Sequence, residues 1–148
     1  MIGIEITSLK GHGFKLENLI VSIFKEDLKW YIYENEVIHN NQQMELPACV
    51  SSAELIGLLF GETTVIVSLN IQAYEKDTYK PTRPQTYAGF VHSSCQAIIL
   101  ISDGDLLEIY AKDKNLLSSI LKKYAGNENY QIAIKKENKD DRTKLSVI

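Results

Sequence analysis

Hydrophobic residues recur with two different periods along the chain, and these periods predict its strands and helices. Alternation with a period of two, in which every second residue points to the same side, predicts strands. It occurs in five segments: residues 1–6, 28–33, 63–74, 130–136 and 142–147. In the third segment it predicts one buried face and one wetter face. The hydrophobic residues that share its buried face are Val65, Val67, Leu69, Ile71 and Ala73.

Residues 95–112 predict two further strands, because two apolar runs meet there at Asp103 and Gly104. Asp-Gly between β-like runs is typical of a tight hairpin, since glycine accepts the positive φ that such turns require. The two runs are therefore expected to pair antiparallel. A short strand around Val37 and a loop through residues 40–43 are expected in the polar segment that precedes Pro47.

Four segments have the spacing of amphipathic helices: residues 16–24, 51–60, 86–93 and 113–125. Ser51 and Glu54 form a capping box at the start of the second, and Gly61 is suited to end it. Asp113 is a suitable N-cap for the fourth. The face of the fourth helix that is expected to pack on the sheet includes Leu117, Ile120 and Leu121.

The predicted order of elements is β-α-β-α-β-α-β-β-α-β-β. Hairpin connections in the second half favour a single mixed, mainly antiparallel sheet with about four helices packed against it, on one face. Residues 75–85 are the most loop-like segment, but the parts of the chain on either side of them are each too incomplete to fold alone. We therefore expect one α+β domain over residues 1–148.

The composition is that of an ordinary globular domain. Of 148 residues, 45% are hydrophobic and 24% charged, which suffices for a core without a disulfide or a metal. No apolar run is long enough for a membrane span, and the first residues lack the features of a secretory signal. Cys49 and Cys95 have no metal-site spacing, which predicts free thiols near the core in a reducing compartment. We expect a cytoplasmic protein without a cofactor.

Acidic and basic residues are unevenly distributed. Residues 1–111 carry 7 basic and 14 acidic side chains, whereas residues 112–148 carry 9 and 5. A basic segment can bind nucleic acid, but acidic residues are interspersed here and no aromatic stacking pattern accompanies them. A mixed, solvated surface is the simpler interpretation, so we do not expect nucleic-acid binding.

The histidines give no indication of a metal site. His12, His39 and His92 lie in separate segments, and none has a cysteine or carboxylate at ligand spacing. No serine or cysteine has the surroundings of a catalytic nucleophile. The sequence therefore identifies no catalytic residue and no metal ligand.

The hairpin segment has a charged set that loosely resembles a metal-dependent phosphodiesterase site: Asp103, Asp105, Glu108 and Lys112. Turn formation, however, explains the two aspartates. Glu108 and Lys112 would lie roughly 13 Å apart along an extended strand. This pattern does not alter the expectation of a non-catalytic protein.

Aromatic and acidic residues follow one another in residues 30–36. Trp30 and Tyr31 fall on opposite sides of the predicted strand, and Glu36 follows soon after. Tyrosine and tryptophan beside carboxylates are common in binding surfaces, but the same residues would serve equally well to pack the edge of a sheet. Trp30, Tyr31 and Glu36 are candidate binding residues under the first interpretation.

Three polar residues outside this segment are further candidates: Glu108, Lys112 and Arg142. Glu108 and Lys112 share a face of the predicted hairpin strand. Arg142 opens the predicted last strand, and guanidinium pairs well with carboxylates. We expect Arg142 to pair with Glu108 and fix that strand to the sheet; the alternative is that Arg142 is reserved for an anionic ligand.

Several short motifs support a resemblance to a known family: Trp30-Tyr31-Ile32, Glu36-Val37, Ser94-Cys95, the run from Glu108 to Asp113, and Arg142-Thr143. Together they resemble a family of small uncharacterised proteins of Gram-positive bacteria, a domain of unknown function. The resemblance covers nearly the whole chain. It implies a cytoplasmic bacterial protein of one domain and implies no activity, substrate or partner.

Two functions of different classes remain. The first is a non-catalytic module that binds another protein, as small regulatory or immunity-type proteins do; the acidic body, the strand aromatics and the lack of a catalytic set favour it. The second is an enzyme or small-ligand-binding protein whose site is assembled from distant polar residues, among them Glu36, Glu108, Lys112 and Arg142. A deep pocket with converging ionisable groups would favour the second, and a flat aromatic and acidic face the first.

Overall fold

The computed structural model describes residues 1–9, 28–59, 63–136 and 145. Its strands are β1 Gly3–Ser8, β2 Leu28–His39, β3 Gln42–Gln43, β4 Cys49–Ser51, β5 Thr64–Glu75, β6 Ala97–Ser102, β7 Leu106–Ala111 and β8 Tyr130–Lys135. Its helices are α1 Ser52–Leu59, α2 Tyr87–Val91 and α3 Lys114–Tyr124. The strands form one sheet in the order β3-β2-β5-β6-β7-β1-β8, and β4 also pairs with β2.

The mainly antiparallel sheet predicted from the sequence is confirmed. Within the described residues every strand pair is antiparallel, so the parallel component of a mixed sheet is not observed there. The same residues contain three helices, so the expected number of about four is slightly off. The helix predicted over residues 16–24 lies outside the described residues, as does the strand predicted over residues 142–147 apart from Leu145.

The larger hydrophobic core lies between one face of the sheet and the helices α1 and α3. The strand residues that alternate toward this face include Ile4, Trp30, Ile71, Ile99 and Ile109, all of them buried. Leu55 and Leu59 of α1 join them, with Leu117, Ile120 and Tyr124 of α3. The capping box of α1 is confirmed, because the Ser51 N–H donates to Glu54 Oε1 and the Glu54 N–H donates to Ser51 Oγ, each at 3.2 Å.

A smaller core covers the opposite face of the sheet: Tyr74, Phe90, Cys95, Ile98, Leu100, Tyr110 and Leu145. Phe90 belongs to α2, so the expectation that the helices pack on one face is wrong for this helix. Because residues 81–91 cover this face, Asn70 and Gln72 of β5 are buried at 5% and 1% exposure rather than wet. Val65, expected to be buried, is 57% exposed, since β6 pairs with β5 only from Leu69 onward.

Two tight turns connect strands with backbone in the left-handed region. Asp103 and Gly104 have φ of 52° and 71° between β6 and β7, which confirms the predicted hairpin. Asn40 and Asn41 have φ of 50° and 62° and connect β2 to β3, where the sequence predicts only a loop. Asparagine tolerates this region better than most residues do.

β2 is longer than predicted, because it continues through Val37 to His39 instead of ending near Tyr33. Its pairing with β5 is interrupted by register shifts between Ile32 and Glu34 and between Glu36 and Val37. Such bulges redirect side chains relative to a regular strand. After the first of them, Glu34 lies opposite Asn70 of β5.

Candidate functional site

A cleft of about 310 Å³ lies on the second face of the sheet, between β5 and the segment that precedes α2. We call it the Asn70 cleft. The residues that matter for its chemistry are Glu34 of β2, Asn70 and Gln72 of β5, Arg83 and Pro84 of the covering segment, and Leu145. Asn70 and Gln72 point the same way because they are two residues apart on one strand.

A chain of hydrogen bonds fixes the covering segment to the sheet. Gln72 Nε2 donates to the Pro84 carbonyl at 3.0 Å, and the Tyr74 hydroxyl donates to Gln72 Oε1 at 2.8 Å. The Arg83 N–H in turn donates to the Tyr74 hydroxyl at 3.0 Å. Arg83 has a φ of 46°, an unfavourable value for a non-glycine residue, which these bonds stabilise. The cleft wall is therefore held in one position.

Asn70 differs from its neighbour Gln72, whose side chain is hydrogen-bonded on both sides. It is 5% exposed and lines the cleft, yet its Oδ1 accepts no hydrogen bond from the described residues. A buried acceptor without a donor typically costs about 1–3 kcal/mol. Such a group in a native structure is explained by strain, by water or by a ligand that supplies the donor.

Two opposite charges lie at the rim of the cleft. The Arg83 guanidinium carbon is 4.3 Å from the centroid of the Tyr33 ring, a cation–π contact. Glu34 is exposed and paired in register with Asn70 across β2 and β5. Within the described part of the chain neither charge takes part in an ion pair.

A family model matches residues 1–146, and the family is described as proteins of unknown function, DUF2691. The chain belongs to the DUF2691 family. No curated protein and no solved structure matches it. The match spans every residue of the Asn70 cleft, so the cleft lies within the DUF2691 region.

A second charged cluster of this DUF2691 chain holds the edge strand β8. Lys135 Nζ donates to Glu108 Oε2 at 2.5 Å and to the Tyr110 hydroxyl at 2.9 Å, and that hydroxyl donates to Glu108 Oε2 at 2.9 Å. Lys135 reaches them across Gly3 of β1, where an added Cβ would lie 2.9 Å from the Tyr110 ring. A second carboxylate oxygen, Glu5 Oε2, lies 3.6 Å from Lys135 Nζ.

The electrostatics of this cluster suit a structural role. Burial by itself lowers the pKa of Lys135, but the hydrogen bonds to Glu108 and Tyr110 raise it more, and the net pKa is above its ordinary value. Burial raises the pKa of Tyr110 to about 12, although the hydrogen bond from Lys135 opposes this. Neither group is a base near neutral pH, because Lys135 stays charged and Tyr110 stays neutral.

Replacing Lys135 by methionine is expected to lower the free energy of unfolding by about 1–3 kcal/mol, because Glu108 would keep a poorly solvated charge without its cation. The measurement is urea unfolding near neutral pH. Lys136→Met is the matched control, since Lys136 is the next residue and is exposed. Equal losses in the two variants would contradict the role given to the cluster.

The three candidate binding residues of residues 30–36 occupy different environments in the structure and do not form one surface. Trp30 is fully buried and its Nε1–H donates to Ser52 Oγ at 3.0 Å, which favours the packing interpretation for this residue. Tyr31 is half-buried, with its ring edge-to-face on Tyr74 at 5.4 Å. Glu36 is exposed and lines an open groove of about 360 Å³ with Glu34 and Asp103, which we call the acidic groove.

The structure does not bring the other candidate residues, Glu108, Lys112 and Arg142, together into one site among the residues that it describes. Glu108 is bound by Lys135, and exposed Lys112 donates from Nζ to the Ser93 carbonyl. Arg142 lies outside the described residues, so its pairing with Glu108 stays a prediction. None of the candidate residues that the structure describes lines the Asn70 cleft.

Both cysteines are free, as expected, but only one is near the core. Cys95 is buried, and burial raises the pKa of its thiol to about 12, which keeps it protonated and unreactive. Cys49 is exposed, so the expectation of a near-core thiol is wrong for it.

Two kinds of feature are absent from the described residues. They contain no group of three His, Cys, Asp or Glu side chains placed to hold a metal ion. None of their helices is long and apolar enough to cross a membrane.

Sequence reasoning missed the residues of the cleft. The alternation of residues 63–74 places Asn70 and Gln72 on the wetter face of their strand, and Arg83 falls in the loop-like segment of residues 75–85. The signal that could have found them is the segment of residues 75–85, with two prolines, which is long enough to cover that face of β5. A covered polar strand face predicts a buried polar site.

Proposed function

We propose that this protein binds a small polar molecule in the Asn70 cleft without transforming it chemically. The observation that supports this most is the buried Asn70 Oδ1, which lacks a donor among the described residues and lines the cleft. A ligand N–H or O–H placed there would satisfy it. The proposal belongs to the second of the two classes of function, with different residues from those expected.

The form of the cleft supports the same proposal. Its volume is near the lower limit of about 300–1,000 Å³ for small-molecule sites, which suits a small ligand. Its wall is fixed in advance by the bonds among Gln72, Tyr74 and Arg83. Binding then needs little ordering of the protein, and less of the interaction energy is lost.

Replacing Asn70 by leucine is expected to leave the free energy of unfolding unchanged or to raise it by up to ~2 kcal/mol, because a buried acceptor without a donor is removed. Gln72→Leu is the matched control on the same strand face. It should lower stability by ~2 kcal/mol or more, since the Pro84 carbonyl and the Tyr74 hydroxyl each lose a partner. Urea unfolding measures both. A loss at Asn70 as large as that at Gln72 would assign Asn70 a structural role.

Ligand binding is tested by thermal unfolding with four probes at millimolar concentration: L-leucine, L-serine, adenosine and glucose. A ligand that binds only the folded state raises Tm by mass action. At least one probe should raise the Tm of the natural protein and not that of Asn70→Leu. If no probe raises Tm, or if Asn70→Leu responds equally, the proposal fails.

A second candidate is a regulatory or immunity-type module that binds another protein. The observation that favours it is the acidic groove, where Glu34, Glu36 and Asp103 line one open surface that suits a basic partner. Capture of a partner from the native host should weaken with salt and be lost in Glu36→Lys, while Asn70→Leu retains it. If Glu36→Lys captures the partner as well as the natural protein does, the protein-binding function of the acidic groove is excluded.

The setting we propose follows the composition and the resemblance: the cytoplasm of a Gram-positive bacterium, without a cofactor. The free thiols Cys49 and Cys95 support a reducing compartment.

A further inference from the structure

We infer that the ligand of the Asn70 cleft is a zwitterion of the α-amino acid class, whose ammonium group binds Asn70 and Glu34 and whose carboxylate binds Arg83. This inference rests on the proposed function and adds the class of ligand. It is argued from the two opposite charges and the unsatisfied acceptor that line the cleft.

Asn70 and Glu34 together offer acceptors to a cationic group. The Asn70 Oδ1 is buried without a donor from the described residues, and the Glu34 carboxylate is its cross-strand neighbour in the register of β2 and β5. Directly opposed residues of an antiparallel pair have Cβ atoms about 4.5–5.5 Å apart, close enough for one group to contact both side chains. The register shift after Ile32 brings Glu34 into this position. A group with several N–H donors and a positive charge, such as an ammonium, fits these two side chains.

Arg83 offers donors and a positive charge. The Arg83 guanidinium packs against the Tyr33 ring, and its planar fork suits bidentate binding of a carboxylate. The backbone of Arg83 is held in its unfavourable conformation by the bond from its N–H to Tyr74. Unfavourable backbone retained by surrounding structure is typical of ligand-binding residues.

The balance of charge and size selects the zwitterion. Among the described residues that line this cleft of about 310 Å³, Arg83 is the one cation and Glu34 the one anion, so a doubly charged phosphate would be repelled by Glu34 with a single described cation to offset it. A simple cation would leave the Arg83 guanidinium with the Tyr33 ring and no anion, and a simple anion would leave the Asn70 Oδ1 without a donor. Pro84 and Leu145 give the cleft an apolar part that suits a side chain.

The test compares one amino acid with its two singly charged derivatives by isothermal titration calorimetry. L-leucine should bind at least tenfold more tightly than leucinamide, which lacks the carboxylate, and than N-acetyl-L-leucine, which lacks the ammonium. Arg83→Gln should weaken L-leucine to the level of leucinamide and leave leucinamide unchanged. Glu34→Gln should weaken L-leucine toward the level of the N-acetyl form. L-serine and its two derivatives repeat the comparison with a small polar side chain.

Lys80→Gln is the control for Arg83→Gln, since it removes an exposed positive charge from the same connecting segment and should leave all affinities unchanged. Leucinamide and serinamide that bind as tightly as their parent amino acids would overturn the inference and leave the proposed function standing. The same holds if adenosine or glucose binds in an Asn70-dependent way and neither amino acid does. If none of the probes binds, both the inferred class of ligand and the proposed function are overturned.

Discussion

Replacing Leu117 by alanine is expected to lower the free energy of unfolding by about 2–5 kcal/mol. Leu117 is fully buried in α3, within the larger core that joins this helix to the sheet. Removing a side chain of this size leaves a cavity that the close-packed surroundings fill only in part. A loss of this size is a large share of the roughly 5–15 kcal/mol typical of a whole domain.

Leu121→Ala and Lys122→Ala on the same helix complete the series. Leu121 is half-buried, so its truncation should cost less than that of Leu117, and exposed Lys122 should change stability by less than ~0.5 kcal/mol. Urea unfolding midpoints of the three variants measure the order. A larger loss at Leu121 than at Leu117 would mean that α3 packs through a different face.

The helix α3 shows which structural features the hydrophobic period of a sequence can predict. The pattern of residues 113–125 correctly predicts a helix, an N-cap at Asp113 and the burial of Leu117 and Ile120. In the structure the Asp113 side chain accepts a hydrogen bond from the Asn115 N–H at 2.9 Å. The burial of Leu121 is overestimated. An apolar stripe is wider than the line along which a helix contacts a sheet, and the sequence does not state where within the stripe that line runs.

The strands show a similar limit: a period of two predicts which residues share a face, but not whether that face is buried. Alternation predicts which residues of β5 share a side, but burial depends on what covers that side. Asn70 and Gln72 are buried because residues 81–91 fold over them, a contact between segments that no local pattern encodes. Ile134 of β8 is 46% exposed despite its place in an alternating run, because β8 is the outermost strand among the described residues.

The candidate site was least predictable for this reason. Glu34, Asn70 and Arg83 come from two strands and a connecting segment, and each one alone is typical of a solvated position. Their juxtaposition depends on a strand register, on a bulge and on the φ of Arg83. The partner that the structure shows for Glu108 also depends on strand pairing, because Lys135 meets it through the pairing of β8 with β1. The partner expected from the sequence, Arg142, lies outside the described residues.

The free energy of unfolding is expected to fall steeply as the pH rises from 9 toward 12, because burial raises the pKa of three groups to about 12: Cys95, Tyr110 and Tyr124. In the unfolded chain the thiol loses its proton near pH 9.0 and the two tyrosines near pH 10.0. Below those values both states are protonated and the stability is complete. Above them the unfolded state releases protons that the folded state retains, so each rise in pH favours unfolding.

The expected size of the effect is comparable to the total stability. Each tyrosine that keeps its proton in the folded state contributes on the order of 3 kcal/mol to this loss, and the thiol contributes a similar amount. Lys135 acts in the same direction, since its raised pKa also keeps its proton in the folded state. Urea unfolding across this pH range measures the loss, and the part of the tyrosinate absorbance that is missing in Tyr124→Phe should appear together with unfolding rather than before it. Tyr124→Phe should make the loss shallower, whereas Tyr79→Phe, at a residue 97% exposed, should leave it unchanged. Stability that stays constant up to pH 12, or equal effects of the two variants, would show that the buried hydroxyl of Tyr124 does not govern the alkaline transition.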